Sequence, residues 1–107
     1  MQELLADFED LDELYRCYMP FLKSGGIFIK SNAHFDMGQE LKLRVTLPDA
    51  LEADEVEVVV AWLTPQGAQN SNPPGVGVAF VDAPALNDKI NKLLGATLHS
   101  DKPTYTM

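Results

Sequence analysis

The chain has 107 residues, enough for one domain and too few for two. With 46% hydrophobic and 22% charged residues, seven glycines and seven prolines, it can build one core, which excludes a disordered tail, a coiled coil and a disulfide scaffold. Sixteen acids against eight basic residues leave a net charge of -8, which repels phosphate backbones and anionic lipid surfaces and makes proteins the expected partners rather than nucleic acid or membrane.

From the start of the chain, Leu4 to Phe8 reads as a possible strand. Six acids lie within Glu3 to Glu13 with no basic residue among them. Such a run serves either as a solvated face or as a docking patch. Leu11, Leu14, Tyr15 and Tyr18 recur at helical spacing, and Asp10 followed by Glu13 has the form of a capping box. Pro20 predicts the end of that helix near Tyr18 or Met19. Gly26 to Lys30 reads as a short strand and Asp36-Met37-Gly38 as a turn. Leu41, Leu43, Val45 and Leu47 alternate with Glu40, Lys42, Arg44 and Thr46, a strand with one wet face. Five more unopposed acids lie within Asp49 to Glu57.

Val56, Val58, Val60 and Trp62 then alternate with Glu57, Val59, Ala61 and Leu63. The second half of this strand is apolar on both faces and needs a cover. Thr64 to Gly75, rich in Pro, Gly and Asn, reads as a long loop. Val76, Val78 and Phe80 alternate with Gly77, Ala79 and Val81, whose small side chains allow close packing. The last element is a helix from about Pro84 to Leu98, with Asp82 as its expected cap and a stripe of Leu86, Ile90, Leu93, Leu94 and Leu98. Residues 1–107 form a single domain in this reading, and 99–107 a flexible C-terminal tail. Antiparallel strands with one covering helix suggest a small barrel or sandwich.

The chemical inventory is thin. His34 and His99 are far apart and in no metal-ligand spacing, so no metal and no cofactor is expected. Cys17, the single cysteine, can make no internal bridge and reads as a buried structural thiol. Gly25-Gly26 and Gly75-Val76-Gly77 lack the frame of a phosphate-cradling loop. No catalytic residue is expected, and the chain does not read as an enzyme. No apolar run approaches the roughly 20 residues of a membrane span, and Met1-Gln2-Glu3 lacks the basic start of a signal peptide. The cytoplasm is the default location.

Three stretches carry a family resemblance: Tyr18-Met19-Pro20-Phe21-Leu22-Lys23-Ser24-Gly25-Gly26-Ile27-Phe28-Ile29, Val60-Ala61-Trp62-Leu63-Thr64-Pro65-Gln66-Gly67-Ala68-Gln69, and Gly75-Val76-Gly77-Val78-Ala79-Phe80. Together with the ending Asp101-Lys102-Pro103-Thr104-Tyr105-Thr106-Met107, they resemble the PilZ domain family, and within it the type IV pilus assembly branch. The resemblance implies a mainly β fold, a six-stranded antiparallel PilZ-type barrel with a short N-terminal helix and a C-terminal helix.

Most members of that family are receptors for cyclic di-GMP, which they hold with R-x3-R and [DN]-x-S-x-x-G motifs. Here Arg16 has Asp12 four residues before it and Pro20 four after. Gly26 matches the motif glycine, but Phe21 stands at the acid position and Lys23 at the serine position. Arg44 is the one other arginine. Paired guanidiniums supply charge and stacking to two phosphates, so the nucleotide site is expected to be missing. The branch implies adaptor work instead: binding the ATPase that drives pilus extension and an EAL-domain protein that senses cyclic di-GMP, in support of twitching motility. A cyclic di-GMP receptor with a degenerate site is the alternative.

The expected protein-interaction residues are Tyr18, Met19, Pro20 and Phe21, where the first helix meets a strand, and Trp62, near the end of another, with Pro103 and Tyr105 in the tail. Aromatics bury large area at interface centres with little entropy loss. Trp62 and Tyr18 serve equally well to plug a barrel, and the resemblance favours docking.

Overall fold

Alternating apolar residues form strands wherever the sequence carries them. The structure is a computed structural model that describes residues 2–19, 22–31, 33–48, 50–64 and 74–95. Its elements run β1 (Glu3–Asp7), α1 (Leu11–Cys17), β2 (Gly26–Lys30), β3 (Glu40–Thr46), β4 (Asp54–Thr64), β5 (Gly75–Val81) and α2 (Pro84–Leu94). One sheet contains all five strands in the order β1-β3-β4-β5-β2, curled into a half-barrel.

Two parts of the expected barrel need correction. Among the described residues there are five strands, not six, and the sheet is not wholly antiparallel, because β1 runs parallel to β3, with Leu4 beside Leu43 and Ala6 beside Val45. The connection from β1 to β3 passes through α1 and β2, long enough for the crossover that a parallel pair needs. What could have been a sixth strand is a single bridge, Tyr18 to Ile27, with Met19 N–H donating to the Gly26 carbonyl at 2.9 Å.

Leu41, Leu43 and Val45 enter the core from β3, while Glu40, Lys42 and Arg44 stay exposed. Val58, Val60, Val76, Val78 and Phe80 join them from β4 and β5. The expected turn closes at Gly38, whose φ of 82° suits glycine, and Gln39 N–H bonds the Asp36 carbonyl.

Asp10 caps α1 as its sequence predicts: the Oδ1 atom accepts from Glu13 N–H at 2.8 Å. The helix ends at Cys17, with Tyr18 as its C-cap. At α2 the expectation fails in two respects. Asp82 is not the cap, because it adopts φ 50° to turn the chain out of β5, and Ala83 takes the cap position without a side-chain bond. Pro84 compensates with a φ already set for the first helical turn. Leu86, Ile90 and Leu94 are buried four residues apart, whereas Leu93 lies one step around the helix and is 38% exposed. Residues 96–107, including Leu98 and the expected tail, lie outside the described residues.

Candidate functional site

Two glycines on β5 flatten one face of the sheet and set the local architecture. A Cβ on Gly77 would lie 2.7 Å from both Met19 Sδ and Trp62 Cβ, and one on Gly75 would meet the Phe28 ring. Only hydrogen fits there, so Met19, Phe28 and Trp62 pack directly on the strand backbone. Simple alternation put Trp62 on the face of Val60. A bulge between the two overturns that: Val60 pairs with Val78, but Trp62 pairs with Gly77, so Trp62 turns to the opposite face. There it is partly buried, and its indole N–H donates to Thr64 Oγ1 at 2.8 Å.

Met19 and Trp62, singled out separately in the sequence, therefore meet over Gly77. Tyr18 joins the core by another route. It is 2% exposed, and its hydroxyl donates to Asn87 Oδ1 of α2 at 2.6 Å. Burial raises its pKa above the usual tyrosine value, partly opposed by the Asn91 side chain. Gly25, at φ 79°, gives Asn87 the space it occupies. Tyr18 and Met19 are thus core residues of the isolated chain, and of the sequence-predicted docking set only Trp62 offers surface among the described residues. Pro20, Phe21, Pro103 and Tyr105 lie outside the described residues.

The chemistry available is that of a binding surface. Cys17 is 3% exposed, and burial with the nearby Glu13 carboxylate pushes its thiol up to about 12, which keeps it protonated and poorly nucleophilic. His34 is exposed and lies 3.2 Å from Asp36 Oδ1. No group of three or more His, Cys, Asp or Glu could hold a metal among the described residues. Arg16 pairs with Asp12 at 3.3 Å, and Arg44 pairs with Glu55 at 2.7 Å, on α1 and β3 respectively. A phosphate clamp uses paired guanidiniums, and here the two are carried by different elements.

Apolar surface that the sequence reading passed over lies elsewhere. Leu51 is fully exposed at the β3–β4 turn, across a groove of about 790 Å³ from Leu93 on α2. On β1, Leu5 is 63% exposed. Its odd-numbered place between buried-side Leu4 and Ala6 was the signal that could have found it.

The described residues form a curled β sheet with two helices, in which Phe28, Met19 and Trp62 pack on the glycines of β5. The family model for the PilZ domain matches residues 3–96, and the chain belongs to the PilZ domain family. No curated protein matches it. PilZ domains are generally non-catalytic, serving as cyclic di-GMP receptors or as adaptors, and no enzyme family is indicated. Among the described residues no helix is long and apolar enough to cross a membrane.

Proposed function

We propose that the chain is an adaptor of the type IV pilus assembly branch, working in the cytoplasm in support of pilus biogenesis and twitching motility. In this reading it binds the pilus extension ATPase and an EAL-domain protein that senses cyclic di-GMP, and does not bind the nucleotide itself. The observation that carries it is the placement of the only two arginines: Arg16 is on α1 and Arg44 on β3, so no adjacent R-x3-R pair exists, and each is in a half-exposed ion pair with a carboxylate. The six lysines carry charge but not the planar, bidentate and stacking guanidinium that a dianionic dinucleotide needs, and the chain as a whole, at -8, repels it.

Trp62 is the best-placed docking residue, being partly exposed beside the fixed Met19. The decisive experiment is affinity capture by the tagged chain from a piliated bacterium, with partners identified by mass spectrometry. Recovery of the extension ATPase and an EAL-domain protein is expected; recovery of neither would overturn the reading. Trp62→Ala should leave a folded domain by circular dichroism and weaken ATPase capture roughly thirtyfold, the usual consequence of truncating a central interface aromatic. Tyr18→Ala is a poorer probe because Tyr18 is part of the core.

A further inference from the structure

At the β1 end of the sheet, one strand edge has no neighbour among the described residues. In a parallel pair, alternate residues turn both backbone groups to the neighbouring strand. Lys42 N–H donates to the Gln2 carbonyl, and Phe8 N–H donates to the Thr46 carbonyl, each at 2.9 Å. Even-numbered residues of β1 therefore face β3, and Glu3, Leu5 and Asp7 turn their N–H and C=O groups the other way. The sole strand paired with β1 among the described residues is β3. The same three residues also present their side chains outward, Leu5 being 63% exposed and Glu3 and Asp7 exposed on either side of it.

Charge decides what this edge accepts. In the second acidic run, Asp54 holds Lys89 and Glu55 holds Arg44 and Lys42. Glu3, Asp7 and the following Glu9 have no ion-pair partner among the described residues. A second copy of the chain is disfavoured: antiparallel self-pairing centred on Leu5 would set Glu3 of one copy against Asp7 of the other at both ends. Near the end of β1, Asp7 lines a small cleft of about 140 Å³ whose other charged walls are Glu13 of α1 and Lys30 of β2.

We propose that the free edge of β1 binds an extended basic segment of a partner protein as an added strand, an inference that rests on the reading of this chain as a protein-docking module. The segment alternates, with an apolar residue opposite Leu5 and Lys or Arg opposite Glu3 and Asp7. Backbone hydrogen bonds supply affinity, and the outward side chains supply selectivity.

The test uses the full chain and a capped peptide, Lys-Thr-Lys-Thr-Ile-Thr-Lys-Thr-Lys, followed by amide NMR and hydrogen exchange. Exchange protection gained at Glu3, Leu5 and Asp7, without change at Leu4 and Ala6, is expected. Binding should weaken several-fold on raising salt, and a Glu-for-Lys peptide should not bind. Peptide N-methylated at alternate residues should bind roughly tenfold more weakly in the register that removes the ladder bonds. Leu5→Pro removes one outward N–H while sparing the bonds to β3, and should weaken binding similarly. Shifts centred elsewhere, equal binding by both N-methylated registers, or no binding at millimolar peptide would overturn the proposal. So would a concentration-dependent dimer that the peptide dissolves, which would put a second copy on the edge. The two readings fail separately. Capture of pilus partners with an inert β1 edge sinks only this inference, and a competent edge in a chain that captures neither partner sinks only the adaptor reading.

Discussion

At the β2 edge of the sheet, Tyr18 bridges Ile27, Met19 N–H bonds the Gly26 carbonyl, and Lys30 pairs with Glu13 of α1 at 3.2 Å. At the β1 edge, Glu3, Leu5 and Asp7 turn their backbone groups away from β3, with acids flanking an exposed leucine. One edge is finished by apolar packing from the chain's own first helix. The other is guarded by charge, which blocks pairing with like-charged copies but admits a basic strand. The difference separates residues that hold the fold from residues free to recognise a partner.

The largest effects should fall on the finished edge. Phe28 is fully buried on β2, and Phe28→Ala should cost about 3 to 5 kcal/mol in urea unfolding, enough to threaten a domain of this size. Loss of less than about 1 kcal/mol would mean that α1 does not seal this edge.

Cys17, under the same cover, gives a pH signature. Burial, with the Glu13 carboxylate beside it, pushes its thiol up from the ordinary 9.0 to about 12. Stability from this group is therefore intact below pH 9 and lost as pH rises toward 12, by a ceiling of roughly 4 kcal/mol at about 1.4 kcal/mol per unit. Tyr18, also raised, adds to the decline above its unfolded value near 10.0. Comparing urea midpoints at pH 8 and 10.5, Cys17→Ala should show a shallower alkaline decline than the parent chain. Identical declines would place the thiol in water.

A smaller change is expected at the bond between Tyr18 and Asn87. Tyr18→Phe should destabilise by about 1 kcal/mol and leave partner capture intact. Smallest of all, Leu5→Ala and Leu93→Ala, at exposed positions, should each shift stability by under about 0.5 kcal/mol. Ile90→Ala, three residues from Leu93 but fully buried, should cost about 2 to 5 kcal/mol and so calibrate the comparison along one helix.

The period-two runs at Leu41 to Leu47, Val56 to Trp62 and Val76 to Phe80 marked strands reliably because each has a core face to fill. Asp10 marked a helix start because its side chain finds Glu13 N–H three residues on. Alternation says nothing of neighbour or direction, so the parallel placement of β1 was not legible. Nor was the bulge before Trp62, which depends on its pairing with Gly77 across the sheet. Tyr18 and Met19 looked like the loose end of a helix before Pro20, yet their partners, Asn87 and Gly26, lie elsewhere in the fold. Asp82 had a capping side chain but lacked the extended backbone that a cap requires.

The claim that this PilZ domain acts by docking proteins rather than by holding a nucleotide is met most directly by calorimetric titration of the purified chain with cyclic di-GMP. With Arg16 and Arg44 on different elements and no paired arginine motif in the chain, no binding heat is expected at micromolar concentrations. A clear one-site isotherm with micromolar affinity would contradict the account and make the chain a receptor.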